Sequence, residues 1–292
     1  MTCICCQSDK ISNHFLGSKK MYRCRDCGLL YHRPNERWEK NEYLIKHYQN
    51  DDPHLNVAVS KEEFFNSVLE YLTFKIEKNG RTILDIGCGY GYFLRAAAKK
   101  GWQTYGVEIA PHAVCQAKDK HENIIVYQGT LKEADYPANF FNAVTLWDVL
   151  FSAEDPYEEL KESYRIMKPG AIIGIRVRNV FFQRLTFVLL FPFEKILARM
   201  GLKPPYVFHS YCFSVSAIRS LLLRLGYTNI QIFNALLTEG DPYNYAGSKL
   251  LVASVKRVVD MLGKFIFFIS RKKLIVGPSL LVWAEKPRSD FR

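Results

Sequence analysis

The spacing of apolar and polar positions alternates between two patterns along the middle of the chain. Short apolar runs rich in β-branched residues occur at 83–86, 104–107, 124–127, 143–147 and 171–175. Before the first run, apolar residues recur every three or four positions at Phe65, Val68, Leu69 and Leu72. The first pattern is typical of buried strands and the second of amphipathic helices. Their alternation predicts an α/β fold with a mostly parallel sheet and helices on both faces.

Capping residues indicate where some of the helices begin. Ser60-x-x-Glu63 is a capping box, so we expect a helix to start at Ser60 and to stop at Asn79-Gly80. Asp155, which precedes a proline, predicts a second helix start, and Ser214 predicts a third.

A glycine-rich loop joins the first predicted strand to a strong helix former. Gly87, Gly89 and Gly91 alternate directly after the strand that contains Asp85, and Leu94-Arg95-Ala96-Ala97-Ala98 follows them. Such a loop lets backbone N–H groups approach a ligand at a helix N-terminus. A dinucleotide fingerprint has its third glycine three residues after the second, whereas here the distance is two. The loop therefore predicts a nucleotide-type ligand of another kind.

Two further features narrow the identity of that ligand. Glu108 ends the second predicted strand, 21 residues after Gly87, near the offset at which an acid reaches a ribose. The turn Lys168-Pro169-Gly170 precedes another apolar strand. With the glycine loop, these features resemble class I S-adenosylmethionine (SAM) methyltransferases, in particular the ubiquinone and sugar types. The resemblance covers residues 81–178 and implies a Rossmann-like sheet of seven strands, its last two forming an antiparallel pair near 230–233 and 279–284.

The resemblance also implies roles for individual residues. Asp85 would order the loop and the amino group of SAM, and Glu108 would bind both ribose hydroxyls. Thr130 or nearby backbone groups stand where the family often has an acid that contacts the adenine. The complete predicted cofactor set is Asp85, Gly87, Cys88, Gly89, Gly91, Glu108, Ile109 and Trp147. Cys88 is interpreted as a small filler of the loop rather than a nucleophile.

The chain departs from the family pattern after the fourth strand. Related enzymes often read Asp-x-x-Glu-His at this point, whereas this chain has Asp148 followed by Phe151 and Ser152. His209, in a segment that resembles another part of these enzymes, is the remaining candidate for a base or a substrate ligand. A histidine that only orders its loop is the alternative. Asp148 and His209 are thus the predicted catalytic residues.

Five of the eight cysteines lie near the N-terminus. Cys3-x2-Cys6 and Cys24-x2-Cys27 have the double spacing of a four-thiolate zinc site, and Cys5 is an extra thiol. Two disulfides are the rival interpretation, which a cytoplasmic chain disfavours. We expect structural Zn²⁺ in a small ribbon, since catalytic zinc keeps an open coordination position.

The chain is thus expected to divide into a zinc ribbon at 1–33, a connector at 34–59 and a SAM methyltransferase domain at 60–292, with insertions at about 180–212 and 245–275. The apolar segment 180–207 is interpreted as a helical lid over the substrate mouth or as an interfacial helix. The stripe Val255, Val258, Val259, Leu262, Phe265, Ile266 and Ile269 is flanked by basic residues. It predicts a core-packed helix with a solvated basic face, or a helix on an anionic membrane surface.

Charge and hydropathy set the remaining expectations. The net charge of +11 divides into +4 over residues 1–50, −3 over 51–150 and +10 over 151–292, so the excess lies outside the predicted cofactor region. No apolar run approaches the roughly 20 residues of a membrane span, and the N-terminus lacks a signal pattern. We expect a cytoplasmic protein, with peripheral contact to the inner face of the membrane as an option.

The favoured function is a SAM-dependent methyltransferase for a small molecule, such as a sugar or a lipid-linked polysaccharide precursor, as the resemblance implies. The zinc ribbon and the positive charge leave an RNA methyltransferase as an alternative. The sequence lacks the interleaved aromatic and basic residues that stack and bind bases, so nucleic acid is not favoured. Phe151 and Ser152 leave a third alternative, a SAM-binding protein without catalytic activity.

Overall fold

A computed structural model describes residues 2–17, 19–32, 53–77, 80–119, 124–199, 206–238, 249–271 and 274–288. For residues 53–60, 249–256 and 259 only the backbone is described. The predicted connector therefore lies outside the described residues up to position 52. No helix within the described ranges is long and apolar enough to span a bilayer.

Seven strands pair into the central sheet. They are β4 (Thr82–Ile86), β5 (Gln103–Glu108), β6 (Ile124–Gln128), β7 (Phe141–Trp147), β8 (Met167–Arg178), β10 (Thr228–Asn234) and β11 (Ser279–Glu285). Their order across the sheet is β10-β11-β8-β7-β4-β5-β6. The five strands from β8 to β6 run parallel, and β11 runs antiparallel to both of its neighbours. The predicted seven-stranded α/β fold and its antiparallel final pair are confirmed.

Eight α-helices accompany the strands in the described part of the chain. They are α1 (Pro53–Lys75), α2 (Tyr92–Lys99), α3 (Pro111–Asp119), α4 (Pro156–Ile166), α5 (Val180–Leu190), α6 (Glu194–Arg199), α7 (Val215–Arg224) and α8 (Lys249–Ile269). Neighbouring residues of β4 belong to different cores, since Ile83 packs with α1 and α2 while Leu84 packs with α4 and α7. The strand alternation therefore buries both faces of the sheet under helices.

The predicted start of the first helix is wrong. Helix α1 begins at Pro53, so Ser60 lies inside the helix instead of capping it, and the helix ends at Lys75. The capping-box pattern also occurs within helices, where it has no capping function. Two other predicted caps are confirmed: Asp155 accepts hydrogen bonds from the first turn of α4, and Ser214 accepts one from Ala217 N in α7.

A second sheet holds the N-terminal ribbon. It contains β1 (Ile11–Leu16), β2 (Lys19–Cys24), β3 (Leu30–Tyr31) and β9 (Tyr211–Cys212), in that order. Leu30 pairs with Cys212 and Tyr31 with Tyr211, so the last strand comes from a distant part of the chain. The ribbon therefore shares a sheet with the segment that the sequence placed in the methyltransferase domain.

Side chains of α7 add to this docking. The Ser214 hydroxyl donates a short hydrogen bond to the Cys27 carbonyl, and the Arg224 guanidinium donates to the carbonyls of Ile4 and Cys5. Arg224 also lies over the ring of Tyr157. One helix and its cap thus contact both cysteine-bearing turns of the ribbon, at Cys27 and at Ile4 and Cys5, which fixes the ribbon against the body of the protein.

Candidate active site

A cavity of about 1850 Å³ opens at the carboxyl ends of β4, β5 and β7. Here the chain order reverses, because β5 and β6 lie on one side of β4 and β7 lies on the other. Ligands of open α/β sheets bind at such a switch point. The wall includes all but one of the predicted cofactor and catalytic residues: Asp85, Gly87, Cys88, Gly89, Glu108, Ile109, Trp147, Asp148 and His209.

Gly91 is the exception and lies outside the cavity wall. It is the N-cap of α2 at a φ of 71°, and a Cβ placed on it would lie 3.2 Å from the Cβ of Ala117. Gly87 is required at the cavity itself. Its φ is +69°, and a Cβ would lie 2.4 Å from a methyl carbon of Val149. The first glycine therefore permits the close approach of Val149 at the cavity wall, while the third permits close packing of two helices.

Glu108 fixes the loop from the neighbouring strand. Its carboxylate is buried, and its two oxygens accept from Gly89 N and Ala110 N, each at 2.9 Å. A carboxylate held flat at a strand end is suited to accept from the two adjacent hydroxyls of a ribose.

Asp85 is buried below the loop. Its Oδ1 accepts from the Thr145 hydroxyl at 2.7 Å. Burial raises the pKa of Asp85 to about 8, although the Thr145 hydrogen bond and the positive charge of Lys61 act in the opposite direction. The negative charge of Glu108 adds to the increase. A cationic ligand beside Asp85 would favour its ionised form.

Asp148 belongs to a charged cluster that sequence reasoning missed. Its Oδ2 accepts from Lys61 Nζ of α1 at 3.0 Å and makes a very short ion pair with Arg176 of β8. Burial by itself would raise the pKa of Asp148, but the charges of Arg176 and Lys61 outweigh it and hold that pKa well below its usual range. The backbone of Asp148 is left-handed, with a φ of 61°.

Two consequences follow for the predicted catalytic role of Asp148. A carboxylate with a lowered pKa is a weak general base near neutral pH. It remains a strong hydrogen-bond acceptor, and its Oδ1 is buried without a hydrogen-bond partner among the described residues. The geometry therefore suits orientation of a donor group better than removal of a proton. Arg176, a charged residue inside an apolar strand, was the sequence signal for this cluster, whereas Lys61 carried no such signal.

His209 lies on the cavity wall and stacks on Phe151, one of the two residues that depart from the family pattern. The ring centroids are 4.1 Å apart and the planes differ by 28°. His209 is placed by the ribbon sheet, because Tyr211 enters β9 and the N–H of His32 donates to the Ser210 carbonyl at 3.0 Å. The substituted Phe151 thus becomes a platform for a histidine from another segment.

The predicted thiolate cluster forms. The sulfur atoms of Cys3, Cys6, Cys24 and Cys27 all lie within 4.8 Å of one another. Zn–S bonds of about 2.3 Å in a tetrahedron require sulfur separations of about 3.8 Å, which this set can meet with small adjustments. All eight cysteines are free, so the disulfide alternative has no support here. Cys5 is buried outside the cluster.

The two predicted insertions, at about 180–212 and 245–275, can be compared with the structure where their residues are described. No described residue of α5 or α6 lines the cavity, whereas Val207, at the end of the same segment, does. Positions 200–205 lie outside the described residues, so the lid over the substrate mouth stays a prediction. In α8, Val258, Leu262, Phe265 and Ile269 are each at least half exposed, whereas Ile266 of the same stripe is half-buried. The core therefore does not cover these four residues. The side chains of Val255 and Val259 lie outside the described residues.

Comparison with known proteins agrees with this architecture. A family model described as a methyltransferase domain matches residues 60–232, more than half of the chain. The chain belongs to this methyltransferase family. Its sheet and its glycine loop are those of the class I SAM methyltransferases, as the sequence predicted.

Curated relatives include ubiquinone biosynthesis O-methyltransferases. The protein of Xanthomonas axonopodis pv. citri is 28% identical over 116 residues, which are 38% of this chain and 48% of that protein. The one from Pseudomonas paraeruginosa is 30% identical over 105 residues, covering 34% and 45%. The aligned region thus spans about half the length of these curated relatives.

Solved structures show the same fold at low identity. Phosphoethanolamine N-methyltransferase 2 of Haemonchus contortus, in complex with SAM, has a TM-score of 0.59 at 15% identity and covers 95% of this chain and 71% of that one. A SAM-dependent methyltransferase from Archaeoglobus fulgidus has a TM-score of 0.50 at 19% identity and covers 85% and 100%. At these identities the likeness concerns the fold alone.

Proposed function

We propose that the protein is a SAM-dependent methyltransferase that acts on a small polar acceptor. The observation that carries this proposal is the buried carboxylate of Glu108, which is held by Gly89 N and Ala110 N in the wall of a cavity that Gly87 also lines. Asp85 would hold the amino group of SAM and Glu108 its ribose. Ile109 and Trp147 supply apolar wall beside them.

The turn after β6 would contact the adenine of SAM. Gly129, Thr130 and Leu131 line the cavity after β6. The side chain of Glu133 turns back to accept from Thr130 N at 2.7 Å and from its hydroxyl at 2.8 Å. Backbone groups of this turn would therefore meet the base, in place of the acid that related enzymes often carry.

SAM supplies a methyl group on a positively charged sulfur, ready for in-line displacement by a nucleophile. The chain's residues have to align the acceptor and exclude water. Asp148, kept ionised by Lys61 and Arg176, would accept a hydrogen bond from a hydroxyl or an amine of the methyl acceptor. His209 is the candidate that takes the proton if the nucleophile must lose it early.

The acceptor proposed is a sugar or a lipid-linked precursor. Its support is the polar character of the cavity beyond Trp147, where Asp148, Ser152, His209 and Lys19 are on the wall. The ribbon contributes Lys19 to this wall, so it takes part in shaping the acceptor side. Zn²⁺ bound by the four thiolates would be structural, because the cluster leaves no ligand position for a substrate.

Calorimetric titration with SAM tests the cofactor assignment. We expect micromolar binding, a loss of at least tenfold in Glu108→Ala, and wild-type affinity in Glu63→Ala, an exposed acid on α1. Absence of SAM binding, or unchanged affinity in Glu108→Ala, would show that the cofactor assignment is wrong.

A SAM-binding protein without catalytic activity is the second candidate, favoured by Phe151 and by the low basicity of Asp148. Transfer of labelled methyl groups from SAM to fractions of a cell extract separates the two. Turnover that is lost in His209→Ala but retained in His112→Ala, an exposed histidine on α3, would support the enzyme. Tight SAM binding with no labelled product in any fraction would support the binding protein.

A further inference from the structure

Helix α8 exposes a continuous apolar face. Residues three or four apart lie on one side of a helix, and the exposed fractions along this row are 50% for Val258, 54% for Leu262, 60% for Phe265 and 59% for Ile269. Met261 and Phe268 border the row at 62% and 80%. Soluble monomers rarely expose contiguous apolar patches on this scale without a function for them.

The helix is held to the body of the protein by another side. Gly263 is buried, and its carbonyl accepts from Asn234 Nδ2 at 3.4 Å. Phe267 meets Phe233 of β10 with ring centroids 6.3 Å apart. At about 100° per residue, these contacts lie on a different side of the helix from Leu262 and Phe265. The exposed row is therefore available while α8 stays docked.

A basic row borders the apolar one. Arg257, Lys264 and Arg271 are seven residues apart, which places them along one side of the helix, and all three are exposed. Asp260 forms an ion pair with Lys264 at 2.6 Å. Residues 249–273 contain seven lysines and arginines against this one acid. The helix is thus amphipathic with a strongly positive border.

We propose that α8 binds the surface of an anionic lipid bilayer. The apolar row would lie at the boundary between headgroups and acyl chains, and the basic row would contact lipid phosphates. Charge complementarity distinguishes this partner from a second copy of the chain. A second copy would bring an identical row of positive charges to the contact, and the two rows would repel each other.

The position of α8 connects this surface to the cavity. The Asn179 side chain, at the start of α5, donates to the carbonyls of Ile275 and Gly277 just beyond α8. Ser279 pairs with Arg178 at the carboxyl end of β8, the sheet edge that also carries the cavity. The bilayer surface therefore adjoins the active-site edge. If the proposed function holds, this placement suits an acceptor anchored in the membrane.

A second exposed apolar surface lies near the same edge of the central sheet. Helices α5 and α6 and the turn between them expose Phe181 (52%), Leu185 (45%), Val188 (69%), Leu189 (58%), Phe193 (54%) and Ile196 (55%). Because Asn179 donates to the loop that follows α8, the start of α5 and the end of α8 lie in one region of the fold.

Vesicle co-sedimentation of the protein, purified in the presence of zinc, tests the proposal without SAM or an acceptor. We expect binding to phosphatidylcholine vesicles that contain phosphatidylglycerol, weakened by salt, and little binding to phosphatidylcholine alone. The triple variant R257Q/K264Q/R271Q should lower the partition coefficient roughly fivefold for each charge removed, on the order of a hundredfold in all. The matched control is K99Q/K100Q/K118Q, which removes three exposed charges elsewhere.

The apolar row needs its own variant. Leu262→Asn combined with Phe265→Asn should reduce vesicle binding by at least tenfold, whereas Phe74→Asn, at a site that is 87% exposed on α1, should leave it unchanged. An unchanged circular-dichroism spectrum and melting temperature in the double variant would show that it is folded. The proposal is overturned if wild-type protein shows no preference for anionic vesicles, if both charge variants bind equally, or if the double variant only dissociates a dimer. SAM titration reports separately on the proposed function.

Discussion

The raised pKa of Asp85 predicts that SAM binding is coupled to loss of a proton. With a pKa of about 8, roughly a tenth of the Asp85 side chains are ionised at pH 7 and roughly a hundredth at pH 6. A cationic amino group favours the ionised form. If SAM binds that form alone, its dissociation constant should rise nearly tenfold when the pH falls from 7 to 6, and about 0.9 protons should be released per SAM at pH 7.

The direction in which SAM affinity changes with pH depends on whether the free protein or the complex holds the proton on Asp85. Free protein keeps Asp85 mainly protonated below pH 8, whereas the complex keeps it ionised, so higher pH favours binding up to that value. The amino group of SAM, with an ordinary pKa near 8, remains largely protonated between pH 6 and 7 and contributes little to this slope. The groups that face Asp85 are Thr145, Lys61 and Glu108.

Calorimetry at pH 6, 6.5 and 7, repeated in buffers of different ionisation enthalpy, measures both the affinity and the proton count. Asp85→Asn is the matched control, since its side-chain oxygen can still accept from the Thr145 hydroxyl. We expect the variant to bind more weakly, with no slope and no proton release. A wild-type dissociation constant that is constant across this interval, or a slope that persists in the variant, would refute the assignment of the proton to Asp85.

Three other predictions concern the loop, the charged cluster and the ribbon. Gly87→Ala should abolish SAM binding, measured by calorimetry, because the added Cβ would overlap a neighbouring side chain at 2.4 Å in a left-handed backbone; unchanged affinity would contradict the close approach. Arg176→Met should cost roughly 3 kcal/mol in urea unfolding at pH 8 and less at pH 5, because the buried Asp148 becomes easier to protonate, and Asp148→Asn in the same chain should recover most of the loss; an equal cost at both pH values would contradict this. Cys6→Ser should lose the bound zinc and Cys5→Ser should keep it, as elemental analysis would show; zinc retained in both would place the ion elsewhere.

Much of the central sheet could be predicted because its strands are buried on both faces. Ile83 and Leu84 pack against helices on opposite faces of the sheet. Strands of this kind have continuous apolar runs in the sequence, between segments with helical periodicity. The glycine loop and Glu108 could be located from spacing, since both are set by adjacent strand ends. The start of α1 was misplaced, because the motif at Ser60 has the same letters inside a helix as at its end.

The rest depended on contacts between distant parts of the chain. Lys61 and Arg176 meet at Asp148 from a helix and a strand that no local pattern connects. The stack of His209 on Phe151 is similarly invisible to spacing. In α8, periodicity identified the apolar face but could not distinguish cover by the protein core from exposure, because both present the same stripe.

The pairing of β3 with β9 has a consequence for synthesis of the chain. The four thiolates lie between positions 3 and 27, far ahead of β9 in the chain, so they can bind metal well before β9 is synthesised. Leu30 and Tyr31 must wait for Tyr211 and Cys212, which at ordinary rates of translation follow on the order of ten seconds later or more. During that interval β3 presents an unpaired strand edge. Early metal loading would keep this edge in register until its partner arrives, so zinc limitation should reduce the yield of folded protein during synthesis more than zinc removal harms the finished one.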